Sequence, residues 1–168
     1  MATSTSDLKA MLETDSATIY SDGAETLLYW FAHSGQSFNI LCEVAEEGEY
    51  VRFTLPFLLC LADAADREAA LAALLEINRR VKALKFAYDP TDGEVSATVE
   101  ILVEDGPLTE RQVHRSMFLL TNVAMSERDN LLTLLRTGVY PGSSDPAFTD
   151  RVSRLIEPAD DPLPEDPA

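Results

Sequence analysis

Two cysteines and two histidines are the residues from which nucleophilic or metal chemistry would have to be built in this 168-residue chain. A thiol nucleophile needs a histidine beside it as base. Zinc needs three or four clustered nitrogen and sulfur ligands. Cys42 and Cys60 each lie within an apolar run, Ile40-Leu41-Cys42 and Leu58-Leu59-Cys60-Leu61, and both are expected in the core as small hydrophobes. His33 falls in an expected hairpin loop and His114 near an expected helix start. The four are scattered, with no Cys-x-x-Cys or His-x-x-x-His spacing. Carboxylates are abundant but read as solvated positions. Glu94 and Glu100 share one expected strand face. The run Glu46-Glu47-Gly48-Glu49 and the turn holding Asp89 and Asp92 do not fit the twelve-residue calcium loop with its central glycine. No glycine-rich phosphate loop and no Gly-x-Ser-x-Gly elbow is present. The expectation is a non-enzyme with no catalytic, cofactor-binding or metal-binding residues.

Charge narrows the partners. The chain carries 29 acids against 13 bases, a net charge of −16. Such a charge repels phosphates, so nucleic acid is not an expected partner, and neither is an anionic membrane surface. The one basic cluster, Arg79, Arg80, Lys82 and Lys85, reads as the C-terminus of a helix, where cations complement the dipole. Residues 1–15 lack a basic start followed by an apolar stretch, so no signal peptide is expected. The apolar run around Leu55 to Ala62 is too short to span a bilayer. With two cysteines and no disulfide framework, the expected compartment is the cytoplasm.

The elements that must position these residues follow from periodicity. Ser6 is expected to cap a helix to about Thr14, with Leu8, Met11 and Leu12 on one side. Ser21-Asp22-Gly23 signals a turn. Three strands follow: Glu25 to Ala32, Ser37 to Ala45 after a His33–Gln36 loop, and Tyr50 to about Leu55, where Pro56 is expected to confine the strand to an edge or an end. In the second, Phe38, Ile40, Cys42 and Val44 oppose Asn39 and Glu43. A helix from Asp63 or Asp66 to about Ala83 presents Leu71, Leu74, Leu75, Asn78 and Val81 as its buried side. Leu84 to Tyr88 and Val95 to Val103 form a hairpin about the turn 89–93. Thr109-Glu110-Arg111-Gln112 is a capping box, with Leu108 and Val113 as its staple. It opens a helix that can reach Arg136, interrupted near Ser126 and ended by Gly138.

The order is α-βββ-α-ββ-α, and the short links within each block make the strands antiparallel. The fold class expected is therefore α+β, a five-stranded antiparallel sheet with helices packed on one face. Residues 1–140 make this domain. Residues 141–168, with seven acids and six of the nine prolines, make an acidic tail in which Phe148, Val152, Leu155 and Ile156 can form one or two amphipathic turns.

This pattern resembles the YbjN family and the related type III secretion chaperone-like fold. The matching pieces are Leu55-Pro56, the helix ending Leu74-Leu75-Glu76-Ile77-Asn78, the turn Asp89-Pro90-Thr91-Asp92-Gly93, and the helix opened by Leu108-Thr109-Glu110-Arg111-Gln112, over about residues 17–137. The resemblance implies a non-enzymatic, acidic, often dimeric protein that binds other proteins. It carries over no catalytic residue.

One strand departs from simple alternation. In Glu25–Ala32, Leu27, Tyr29 and Phe31 point one way, and Leu28, Trp30 and Ala32 point the other. A strand with one wet face should be polar on that face. Two readings stand. The N-terminal helix or the C-terminal segment covers this second face, or Leu28, Trp30 and Ala32 form a candidate protein-binding face, for a homodimer partner or a docked client. A chaperone-like or regulatory binding module is the leading expectation. A small-ligand sensor or hydrolase with a pocket between sheet and helices is the alternative, and an acidic tail that shields a basic partner is a third.

Overall fold

The computed structural model describes residues 3–13, 18–21, 26–103 and 106–142. It contains the expected α+β fold. The helices are α1 (Thr5–Glu13), α2 (Arg67–Arg80), α3 (Glu110–Phe118) and α4 (Met125–Thr137). The strands are β1 (Thr18–Ser21), β2 (Thr26–His33), β3 (Gln36–Ala45), β4 (Tyr50–Cys60), β5 (Lys85–Tyr88) and β6 (Glu94–Leu102). The five expected strands, β2 to β6, pair antiparallel, and the short β1 extends the sheet beyond β2. Among the described residues the strand order is β1-β2-β3-β4-β6-β5. Ser21, read as part of a turn, belongs to β1; Asp22, Gly23 and Glu25 lie outside the described residues, as do Phe148, Val152, Leu155 and Ile156.

Alternation puts one set of side chains under the helices. Phe38, Ile40, Cys42 and Val44 of β3, Val51, Phe53 and Leu55 of β4, and Val95, Ala97 and Val99 of β6 are all buried. Leu8 and Leu12 of α1 join that core. The cap of α1 is Ser4 rather than Ser6: its hydroxyl accepts from the Asp7 amide at 3.1 Å, and the Asp7 carboxylate accepts from the Ser4 amide at 3.0 Å.

Three expectations shift. The buried side of α2 is Ala69, Ala70, Ala73, Leu74 and Ile77, while Leu75, expected inside, is 72% exposed. Small alanines let the helix sit close to the sheet, so the buried stripe follows them rather than the leucines. α2 ends earlier than expected, and Ala83 then takes a left-handed φ of 64° before β5.

Second, β4 does not stop at Pro56. It runs on to Cys60 in the interior of the sheet, with its register shifting between Leu55↔Ala97 and Leu59↔Val95. The proline lies in this bulge, where its missing N–H leaves no ladder bond unmade.

Third, Cys60, expected in the core, is exposed. The strand continues past the bulge and pairs Cys60 with Glu94, on the face away from Val95 and Leu59.

The capping box at Thr109 and Gln112 forms as expected. The long helix is interrupted by a π-helical turn at Leu119–Ala124, just before Ser126. Gly138 closes α4 at a φ of 72°. The chain then returns along α4 and buries Tyr140, which is 2% exposed.

Candidate protein-binding face

The face turned away from the helices is built by the other half of each strand. Register lines up Leu28, Leu41, Thr54 and Thr98 across β2, β3, β4 and β6. The next row runs Thr26, Glu43, Arg52 and Glu100. On the other side of the leucines, Trp30 pairs with Asn39 and Ala32 with Ser37. Leu28 and Leu41 are half-buried, Ala32 is exposed, and Trp30 is 41% exposed. The structure thus brings Leu28, Trp30 and Ala32 onto one face of the sheet, with Trp30 and Ala32 exposed among the described residues. α1, one of the two segments that could have covered it, packs with α3 on the opposite side.

Polar groups frame this apolar strip. The Arg52 Nε donates to Glu43 Oε2 at 2.8 Å, which holds the guanidinium charged and raises its pKa. The Lys85 ammonium donates to Glu100. That bond, with a second from the Tyr50 hydroxyl, lowers the Glu100 pKa. Between these pairs, Leu41, Thr54, Ala87 and Thr98 line an open depression of about 470 Å³. Of the basic cluster, Arg80 is drawn into the fold by its pair with Glu127, whereas Arg79, paired with Glu76 on the same helix, stays largely exposed, as do Lys82 and Lys85.

The candidate reactive groups are dispersed. Cys42 is buried, and burial, with the charge of Glu43, pushes its thiol up to about 12. His33 Nε2 lies 2.9 Å from Asp129 Oδ2, joining the β2–β3 hairpin to α4. Arg128 strengthens that joint: it donates to Leu58 O at 2.7 Å and to Gln36 Oε1 at 2.6 Å, and covers the Phe38 ring at 5.2 Å. His114 is half-buried on α3. Among the described residues no group of three His, Cys, Asp or Glu could hold a metal ion, and no helix is long and apolar enough to cross a membrane.

Sequence reasoning missed Leu41, although it sits in phase with Asn39 and Glu43 and so on the outer face. It also missed the bulge at 56–58, for which Pro56 inside an apolar run was the available signal.

No protein-family model matches the chain, and no curated protein matches it. Solved structures do. YbjN from E. coli, a proposed transcription regulator, is 15% identical with a TM-score of 0.55, over 74% of this chain and 90% of that one. A chain of the HopA1–SchA chaperone–effector complex is 15% identical with a TM-score of 0.52, over 73% and 90%. A chain of the ExsC–ExsE complex is 16% identical with a TM-score of 0.54, over 78% and 97%. At these identities the likeness is one of fold, and it agrees with the fold resemblance found in the sequence.

Proposed function

We propose that this chain is a non-enzymatic protein-binding module, chaperone-like or regulatory, acting in the cytoplasm. It offers the outer sheet face at Leu28, Trp30 and Ala32 either to a second copy of itself, as a homodimer, or to a docked protein client. The observation that carries the reading is Trp30, 41% exposed beside half-buried Leu28 on the side of the sheet opposite the helical core. A large aromatic flanked by aliphatics is the usual make-up of an interface anchor. Two of the similar folds come from complexes of two proteins, one of them a chaperone with its effector.

Sedimentation velocity of the wild type and Trp30→Ala tests it. The wild type should dimerise, and loss of an anchor worth ~2 kcal/mol should weaken the dimer roughly 30-fold. The circular dichroism of the variant should be unchanged. If both proteins sediment as monomers, the homodimer is wrong; if the variant dimerises as tightly as the wild type, the anchor lies elsewhere.

A further inference from the structure

The bulge in β4 holds the most unusual backbone in the sheet. Pro56, Phe57 and Leu58 lie between the pairs Leu55↔Ala97 and Leu59↔Val95, so three residues of β4 oppose Ser96 alone. Phe57 takes a left-handed φ of 50°. An aromatic side chain is disfavoured there, and glycine would adopt it freely. The neighbours do not relax this conformation. They pin it: the Phe57 amide donates to Glu94 Oε1 at 2.9 Å, and the next carbonyl, Leu58 O, accepts from Arg128 Nε at 2.7 Å. Leu58 and Leu59 are buried, whereas the Phe57 ring is 73% exposed. The fold therefore holds a strained residue rigidly and turns its apolar side chain to solvent. Bulges that re-aim a side chain, and strained residues that their surroundings over-determine, concentrate at functional positions.

The ring is not alone. The Glu94 carboxylate binds the backbone amide of the same residue. The adjoining β5–β6 hairpin end forms an open depression of about 430 Å³ lined by Tyr88, Asp89, Pro90 and Glu94, among others. An exposed aromatic ring on a residue whose amide is held by a carboxylate matches a guanidinium, which stacks on aromatic rings and pairs with carboxylates. The net charge of −16 attracts a basic partner from a distance.

We propose that Phe57 is a preorganised anchor for an arginine-bearing amphipathic segment of a partner protein. Its apolar side chains pack on the Phe57 ring, and its arginine stacks there and reaches Glu94. This holds whether or not the Trp30 face docks a partner.

The probe is a fluorescein-labelled peptide of leucine and arginine, set against the same peptide with glutamate for arginine, read by anisotropy on the full chain in physiological salt. The leucine–arginine peptide should bind and the leucine–glutamate peptide should not. Phe57→Gly should weaken binding at least tenfold while melting at or above the wild-type temperature, because the glycine relieves the backbone. Glu94→Gln, which keeps an oxygen for the Phe57 amide, should weaken binding about threefold and flatten its salt dependence. Trp30→Ala should bind this peptide as the wild type does. No binding to the wild type, equal binding of the two peptides, unchanged affinity in Phe57→Gly, or a lower melting temperature in that variant each overturns the proposal. Loss of binding in Trp30→Ala alone would assign the peptide to the other surface.

Discussion

Cys42 and Cys60 share an apolar sequence context, and the sheet separates them. Cys42 points into the core, its thiol directed at Ile40 O at 3.8 Å, and burial pushes its pKa up to about 12. Cys60 faces outward across from Glu94. A thiolate is the reactive form, and access is the other requirement. At pH 8 a colourless disulfide reagent that releases a chromophore should therefore titrate one thiol in the native protein and two in guanidinium. The Cys60→Ser variant should lose the native signal and keep the denatured one. Two native thiols reacting at equal rates would contradict the placement of Cys42. The sign follows from burial: an ionised Cys42 is disfavoured in the folded state, so raising the pH towards 12 draws it towards the unfolded state.

At the scale of elements, the seam between α2 and α4 is closed by a polar clasp. Arg80 Nη2 donates to Glu127 Oε1 at 2.9 Å and to the Tyr140 hydroxyl at 3.2 Å. The Tyr140 hydroxyl donates to Glu127, and Asn130 donates to the same carboxylate. Burial first, then the bond to Glu127, keeps the phenol pKa raised. Tyr140→Phe keeps the ring and removes both hydroxyl bonds, to Glu127 and from Arg80, so it should cost about 2 kcal/mol. Arg80→Met leaves the buried Glu127 without its cation, and with that arginine partly exposed the loss should be about 2 kcal/mol. Because both act on one carboxylate, the double variant should lose measurably less or more than the sum in urea unfolding. Strict additivity would mean that the clasp is not a unit. None of this was legible in the sequence, where Arg80 was one of four clustered cations and Tyr140 the last residue before a tail. Local signals were legible: the capping box at Thr109, the strand alternation of β3 and β4, and the stop at Gly138. What failed needed tertiary knowledge. Leu75 lost its place inside α2 to alanines that fit closer to the sheet, and Pro56 entered an interior strand because a bulge excused its missing donor. The outer face was half legible: the doubled apolar pattern of β2 flagged Leu28, Trp30 and Ala32, but the rows that join them to Leu41, Arg52 and Glu100 depend on register.

At the scale of the whole molecule, the clasp also ties down the C-terminal end of the described residues. Arg80 Nη1 donates to Gly142 O at 2.6 Å, so the chain is bound to the helical layer as far as Gly142. The residues after it carry seven acids and two arginines, and removing them lowers the negative charge without touching the clasp. A chain ending at Gly142 should therefore melt within a few degrees of the full chain. A chain ending at Gly138 loses the buried Tyr140 ring and two bonds to the Glu127–Arg80 pair. Loss of a buried aromatic costs roughly 3 kcal/mol or more, and at this chain length that corresponds to about a 10 °C fall in melting temperature. Calorimetry of the two truncations against the full chain checks the difference. Equal melting of the two would show that Tyr140 is not part of the fold's closure. A large drop on ending at Gly142 would instead place stabilising contacts in residues 143–168, moving the boundary of the folded unit towards the C-terminus.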